Sequence, residues 1–286
     1  MLFATATLAS RLERAECRTC AAFGQIQIAR GKDAFVRPIG GAAVVYGSPG
    51  APFNKLAGLG FAAELDEREL EEIEEEFRRR DAPLQVELST LADPAVGALL
   101  TRRGYVLLNF ENVLGLALDA AFLDAATRRH AEDEARGITV GRLQPDHAEL
   151  WIEAMITGFA NPDTFDGPPS HEVFSRDVLE RAFREYGEVD GSVRYMAFRD
   201  GTLAGGGSAR LDAGIAQLTG AATIPEHRRK GVQSALLRAR LIDAARQGCD
   251  LATVTVQPGS KSMENAQRAG LSLLYPRAIL VKQPRG

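Results

Sequence analysis

Tryptophan occurs once, cysteine three times and histidine four times in the 286 residues of this chain. So few cysteines cannot staple a chain of that length, which excludes a disulfide scaffold. Cys17 and Cys20 have CxxC spacing, but no second CxxC and no Cys/His pair follows to complete a zinc set. They read as ordinary thiols near an N-terminal helix, and the scattered histidines pair with no carboxylates at ligand spacing, so no metal is expected. No apolar run approaches the about 18 residues that a membrane span needs, and no membrane partner is expected. The first residues carry Arg11, Glu13 and Arg14 within what would have to be an unbroken apolar stretch, so they do not read as a signal peptide. A cytoplasmic protein is expected. An excess of one charge is missing too: 34 Lys and Arg face 38 Asp and Glu, a formal net charge of -4. Nothing in that balance implies the basic face that nucleic acid requires.

Apolar residues at 45% and charged residues at 25% match an ordinary globular composition. The length suits one large domain or two of ordinary size. The charged stretch at residues 128–137 lacks β-branched residues and separates two halves, residues 1–130 and residues 137–286. It reads as the end of a helix running into a short linker. The halves share an order of elements. In the second, Leu251 to Val256 reads as a buried strand, a short helix ends at Gly270, and a last strand covers Ala278 to Lys282. In the first, Leu84 to Leu88 is the strand, Asp93-Pro94 opens a helix that Gly104 ends, and Tyr105 to Phe110 follows. Gly104 and Gly270 lie 166 residues apart, and the strands before them keep nearly that offset, which implies an internal duplication.

A longer helix precedes those strands in each half. Glu67 to Arg80 sets Leu70, Ile73 and Phe77 on one side and a solvated acidic face on the other. Its counterpart starts near Gly231, with Val232, Ala235, Leu236 and Ala239 facing a core. Earlier in the second half, Ile138 to Leu143 reads as a strand, and Pro145-Asp146 opens a helix with Leu150, Trp151, Ala154 and Met155 inward. A Pro- and Gly-rich loop at residues 161–170 precedes a helix from His171 to Tyr186. Strands at Val193 to Arg199, Thr202 to Leu211 and Ile215 to Ile224 then meet at tight turns, Asp200-Gly201 and Asp212-Ala213-Gly214. The fold class is therefore a mixed-sheet α/β (α+β) protein built on a largely antiparallel meander.

Residues 220–237 are the informative stretch. A strand runs into Pro225-Glu226-His227-Arg228-Arg229-Lys230-Gly231-Val232-Gln233-Ser234 and straight on into an amphipathic helix. The first amides of a helix have no intrahelical acceptor, and with the helix dipole they attract phosphate. Gly231 permits a close backbone approach, and Arg228, Arg229 and Lys230 add positive charge. On these grounds alone the turn is either an anion site or ordinary basic surface. It is neither a P-loop nor a Gly-x-Gly-x-x-Gly turn.

The segment resembles the acyl-CoA-binding motif of the GCN5-related N-acetyltransferase (GNAT) family, Arg/Gln-x-x-Gly-x-Gly/Ala. Arg228 and Gly231 match, and Gln233 departs at the third position by carrying a side chain. The resemblance covers residues 138–286, and the first half looks like a degenerate copy, as in tandem members of the family. There the stretch from Lys55 to Phe61 lacks the basic turn, and Glu64, Asp66 and Glu67 would repel phosphate. The resemblance implies two GNAT-like domains, each a mostly antiparallel sheet flanked by helices, with a splayed strand pair in the second. The first would be a structural or substrate-shaping partner. Acetyl-CoA is the implied cosubstrate, with Ala222, Thr223 and Ile224 along its pantetheine arm. Residues Arg228, Arg229, Lys230, Gly231, Val232, Gln233 and Ser234 would lie around its pyrophosphate, and Asn265 would make a further side-chain contact.

The implied reaction is direct acetyl transfer to the amine of a small-molecule acceptor, by a monomer or a homodimer. A backbone N–H on the strand before the basic turn would polarise the thioester carbonyl. Many family members place a Tyr acid four residues before the Gly of the final helix, where this chain has Ala266; Tyr275 is the nearest alternative acid. Glu226 and His227 adjoin the phosphate side rather than the amine, His171 stands beside the Pro-rich loop, and Trp151 reads as core or as an acceptor wall. The altered acid position and third motif position keep a second reading open, that of a non-catalytic acyl-CoA-binding or sensory module.

Overall fold

The computed structural model describes residues 2–62, 64–162 and 174–284. Contacts divide the chain into two units that are not contiguous in sequence. One holds Phe3–Val113 together with the end of the chain from Leu274. The other holds the described residues of 114–168 and 175–273. The charged stretch at residues 128–137 falls inside this second unit, where it closes a helix.

The first unit opens with α1 (Ala6–Ala29), whose N-cap Thr5 accepts from the Leu8 amide. Strands β1 (Phe35–Ile39), β2 (Ala42–Tyr46) and β3 (Lys55–Ala57) follow, then α2 (Glu67–Arg79), β4 (Leu84–Ser89) and α3 (Pro94–Arg102). The acidic helix has the expected face: Leu70, Ile73 and Phe77 are buried. Asp93 caps α3 with Pro94 in its first turn, and Gly104 ends it at a φ of 84°. Both features follow from short-range chemistry. The next strand, β5 (Val106–Ala117), runs well past the expected Phe110 and passes from this unit into the other. The strands order as β1-β2-β3-β4 with the chain's last strand, β11 (Ser272–Lys282), beyond β4. β3 pairs parallel with β4, and β11 pairs antiparallel with it, Arg277 opposite Ser89 and Lys282 opposite Leu84.

One large apolar cluster of this unit joins Val44, Leu56, Leu70, Ile73, Phe77, Val86 and Leu100. A charged cluster that α1 helps to build is buried as well. Lys55 lies 2.9 Å from Glu16 and 2.7 Å from Glu87, while Arg277 lies 2.8 Å from Glu13 and 3.2 Å from Glu87. Burial opposes ionisation of Glu16, but the neighbouring Lys55 and Arg277 charges bring its carboxyl down to about 2. Glu13 moves the other way, raised by burial. The three cysteines are free thiols, and burial pushes those of Cys17 and Cys20 up.

The second unit continues with α4 (Ala120–Ala135), β6 (Ile138–Arg142), a 3-10 turn at Pro145–His147 and α5 (Ala148–Ala160). Trp151, Ala154 and Met155 are buried as expected, whereas Leu150 is exposed, because the buried stripe runs through Trp151, Ile152, Met155 and Ile156 and leaves Leu150 outside it. Helix α6 (Arg176–Tyr186) follows; the expected start at His171 and most of the Pro-rich loop lie outside the described residues. Strands β7 (Ser192–Arg199), β8 (Thr202–Asp212) and β9 (Ile215–Thr223) form the meander. Asp200 and Gly201 turn the first hairpin at φ of 50° and 76°, and Ala213 and Gly214 the second at 48° and 76°.

After β9 come a 3-10 turn at Pro225–His227, α7 (Val232–Arg246), β10 (Leu251–Val256) and α8 (Lys261–Arg268). The order is β10-β9-β8-β7-β6, antiparallel except for the parallel β9–β10 pair. On the other side of β10, the Thr253 hydroxyl donates to the Leu114 carbonyl and the Leu118 amide donates to Asp250, so the end of β5 lies there. The order β3-α2-β4-α3-β5 is repeated by β9-α7-β10-α8-β11, with Gly104 and Gly270 both at positive φ. The architecture is a mixed α/β fold with a mostly antiparallel sheet flanked by helices.

Candidate acyl-CoA site

Two features of β9 shape the site. The parallel register with β10 covers only Ile215 to Gln217, although β9 continues to Thr223 and β10 to Val256. Beyond Gln217 no pairing between the two strands follows among the described residues. The register with β8 also slips: Gly207 faces Ala221 and Ser208 faces Thr219, which leaves Gly220 as the extra residue of a bulge.

The turn lies at the end of β9. Gly231 is the N-cap of α7 at a φ of 87°, and no side chain caps the helix. The first-turn amides of Val232, Gln233 and Ser234 therefore have no intrahelical acceptor and face outward with the positive end of the helix dipole. A Cβ on Gly231 would meet Ile138 Cδ1 at 3.3 Å as well as the unfavourable φ. Arg229 also takes a left-handed conformation, at a φ of 58°. Arg229 and Lys230 are exposed, and the Lys230 ammonium donates to the Glu226 carbonyl at 2.8 Å.

Arg228 is turned inward. Its guanidinium donates to the carbonyls of Thr223 at 3.2 Å, Gly158 at 3.3 Å and Asn161. It ties the turn to the end of α5. Gln233 lies back toward the strand: its side-chain oxygen accepts from the Thr223 hydroxyl at 3.3 Å. The residue that departs from the family motif is thereby held against β9. Ala222 is buried against α5, so close that a Cβ on Gly158 would fall 2.4 Å from its own. Ile224 continues the strand edge, its amide donating to Ala204. The structure thus brings Ala222 to Ser234 together on one strand–turn–helix. Asn265 sits half-buried on α8, which packs against α7 and β10. Ala266 beside it is buried and has no hydroxyl to offer.

Tyr275 belongs to the first unit. It is buried, and its hydroxyl donates to Glu13 at 2.8 Å within the charged cluster, with burial raising its pKa. His171 lies outside the described residues. Trp151 is a core residue whose indole N–H donates to the Tyr195 carbonyl at 2.9 Å. Among the described residues no group of His, Cys, Asp and Glu could hold a metal, and no helix is long and apolar enough to cross a membrane.

One residue of this region had escaped the sequence reading. Arg240 is buried on α7, where periodicity had placed Ala239 inward, and it reaches the bulge. Its Nη1 donates to the carbonyls of Ser208 at 3.1 Å and Thr219 at 3.2 Å, and its Nε to Leu236 at 3.3 Å. Burial brings its pKa down to about 10. The spacing 232, 236, 240 is the signal that could have found it, since it continues the apolar stripe of Val232 and Leu236.

The corresponding place in the first unit is closed. All three residues of β3 pair with β4, and just beyond them the Gly60 carbonyl accepts from the Asp93 amide at 2.9 Å. A Cβ on Gly60 would fall 2.7 Å from that of Ala92.

Residues 160–270 match the family model of the acetyltransferase (GNAT) family. No curated protein matches the sequence. Among solved structures, a GCN5-related N-acetyltransferase from Kribbella flavida aligns with a TM-score of 0.60 at 16% identity, covering 94% of this chain and 96% of its own. A tandem GNAT protein from the clavulanic acid biosynthesis pathway aligns at 0.57 and 14% identity, covering 87% and 82%. A GCN5-related N-acetyltransferase from Sphaerobacter thermophilus aligns at 0.54 and 15% identity, covering 85% and 73%. These likenesses establish a shared fold.

Proposed function

Because residues 160–270 match the family model of the GNAT acetyltransferases, we propose that the second unit binds acetyl-CoA and transfers its acetyl group to the amine of a small-molecule acceptor. The observation that carries this reading is the end of the β9–β10 pairing at Gln217, with the uncapped Gly231 turn at the end of the same strand. The strand edge at Ala222, Thr223 and Ile224, where the Ile224 amide is already bonded to Ala204, would run along a pantetheine arm. The first-turn amides of α7, with Arg229 and Lys230 beside them, suit a pyrophosphate. The inward side chains of Arg228 and Gln233 keep that turn rigid without filling it.

In the proposed reaction the neutral amine attacks the thioester carbon, and the carbonyl π pair moves onto oxygen. The tetrahedral intermediate collapses, the C–S bond breaks, and the coenzyme leaves as a thiolate. One proton leaves the nitrogen and one reaches the sulfur, giving an amide and the free thiol. With Ala266 at the position of the usual acid, solvent supplies the proton to sulfur. The first unit acts as a structural or substrate-shaping partner, and the protein works in the cytoplasm as a monomer or homodimer.

The test is calorimetric titration of acetyl-CoA into the full chain, beside Gly231→Pro, whose fixed negative φ cannot match the native turn. The expected result is one site per chain at micromolar affinity, lost in the variant. A stoichiometry near two would overturn the closed state of the first unit, and no binding would overturn the reading. Ala266 also supports a second reading, a binding or sensory module, which predicts the same titration with no acetyl transfer to any amine in an acceptor screen.

A further inference from the structure

The β9 bulge carries a buried cation to which no carboxylate is bonded among the described residues. The Arg240 guanidinium donates through one nitrogen to carbonyls on two strands, Ser208 on β8 and Thr219 on β9. A direct bond between the Ser208 and Thr219 hydroxyls, 2.9 Å apart, holds the same two residues together. Gly207 passes so close that an added Cβ would lie 3.3 Å from Arg240 Cζ. A structural ion pair would have placed Asp or Glu here. Instead the charge is satisfied by backbone carbonyls and polarises the peptides that own them.

The Thr219 carbonyl belongs to the peptide whose N–H is that of Gly220. All peptides among the described residues are trans, so this N–H points opposite to its carbonyl. Because the same nitrogen of Arg240 holds both Ser208 and Thr219, the Thr219 carbonyl is turned toward β8. The Gly220 N–H is then directed toward the edge whose pairing with β10 has already ended. A hydrogen bond accepted from a cation draws electron density through the peptide and strengthens its N–H as a donor. The family resemblance already implies a backbone N–H of this strand on the thioester carbonyl oxygen; we propose that Arg240 is its positioning residue, aiming and polarising the Thr219–Gly220 peptide so that the Gly220 N–H is that donor. This inference rests on the acyl-CoA reading of the site above. Low local polarity favours the arrangement, since a charge buried on α7 is poorly screened by water.

The test is the isotope-edited infrared spectrum of carbonyl-labelled acetyl-CoA bound to the full chain, recorded with its dissociation constant. Wild type is expected to shift the thioester carbonyl stretch to lower frequency than in free acetyl-CoA. Arg240→Gln keeps a side-chain amide donor but removes the charge. It should lose most of the shift, change the dissociation constant by less than about threefold and slow acetyl-CoA hydrolysis at saturation about tenfold, less than the loss of a whole oxyanion donor. Arg240→Lys restores the charge and should recover most of the shift. Ser208→Ala, which cuts the hydroxyl bridge but leaves the guanidinium, should lower stability and keep the shift. A wild-type spectrum in a folded, ligand-bound Arg240→Gln variant would overturn the proposal. Should that variant not fold, a free-ligand frequency in Arg240→Lys would overturn it equally. Failure of wild type to bind acetyl-CoA would instead remove the site itself, and the proposal with it.

Discussion

Arg228 offers the sharpest separation between holding the turn and holding the ligand. The family motif begins at this residue, and its charge invites the reading of a phosphate ligand. In the structure the guanidinium bonds to the carbonyls of Thr223, Gly158 and Asn161, joining the end of β9 to the end of α5. Replacement by Met keeps the aliphatic stem and removes every donor. Hydrogen bonds from a charged group contribute about 1.5–3 kcal/mol each when fully buried. Two of these are half-buried and the bond to Asn161 is exposed, water can replace part of them, and bonds from one group do not add, so about 2 kcal/mol in total is expected. For a unit of this size that corresponds to a fall in Tm of about 5 °C. Titration well below the transition should then find acetyl-CoA bound within about threefold of wild type, with an unchanged salt dependence. Arg229→Ala with Lys230→Ala should do the reverse: stability within about 0.5 kcal/mol of wild type, but weaker binding and a flatter salt response, because exposed charges attract phosphate through screened fields. An Arg228→Met protein with wild-type Tm, tenfold weaker binding and a flattened salt response would refute the reasoning.

Three further outcomes concern the two units separately. Arg277→Met leaves the Glu13 and Glu87 carboxylates buried without their shared guanidinium, and urea titration should show a loss of about 3–5 kcal/mol in the first unit; a loss below about 1 kcal/mol would contradict the buried pairing. Gly206→Ala sets a Cβ 2.6 Å from the indole nitrogen of Trp151, so stability should fall by about 1–3 kcal/mol, and the fluorescence of this single tryptophan should change as its bond to Tyr195 is strained. Glu16 titrates at about 2 in the folded protein, below an unfolded value of about 4.3, so its contribution is complete above that value and is lost as pH falls from there toward 2. Glu13, shifted upward, works in the opposite sense, so Glu13→Gln should steepen the acid limb of the urea midpoint while Lys55→Met should flatten it.

Much of the fold was legible because its punctuation is local. Asp93-Pro94, the Asp200-Gly201 turn and the glycines at 104, 214 and 270 each demand a backbone conformation that short-range chemistry dictates, and each stands where it was expected. The buried stretch Leu251–Val256 was readable as a strand for the same reason: it is apolar and bounded by turn residues. The partition of the last strands was not legible. Nothing in Ala278–Lys282 states that its partner is β4 of the other half, since strand pairing over such separations depends on which edges the rest of the chain leaves open. Burial of charge was invisible for a related reason. Glu13, Lys55, Glu87, Arg240 and Arg277 are residue types that normally face water, and only the tertiary arrangement supplies the partners that keep them inside. The basic turn was found because its residues are consecutive; Arg240, eight positions into the helix, acts on strands more than twenty residues earlier.

The two units repeat an order of elements but start their helices differently. Both place a strand, a helix and a parallel strand in the same order, β3-α2-β4 and β9-α7-β10. In the first, the strand has three residues, all paired, and the chain then closes on itself between Gly60 and Asp93. In the second, the strand has nine residues, only three of them paired with β10. The connection that follows β3 reaches its helix through Asp66, which fills the cap by accepting from the Arg68 amide. The connection after β9 reaches α7 through Gly231, which fills nothing. An aspartate at the cap satisfies one first-turn donor and brings a negative charge to the helix start, so it stabilises the helix and repels phosphate. A left-handed glycine leaves those donors open and forgoes that stabilisation. The same order of elements therefore gives a capped, self-satisfied helix start where the cap is acidic, and leaves first-turn donors without a side-chain acceptor beside the exposed Arg229 and Lys230 where the cap is Gly231.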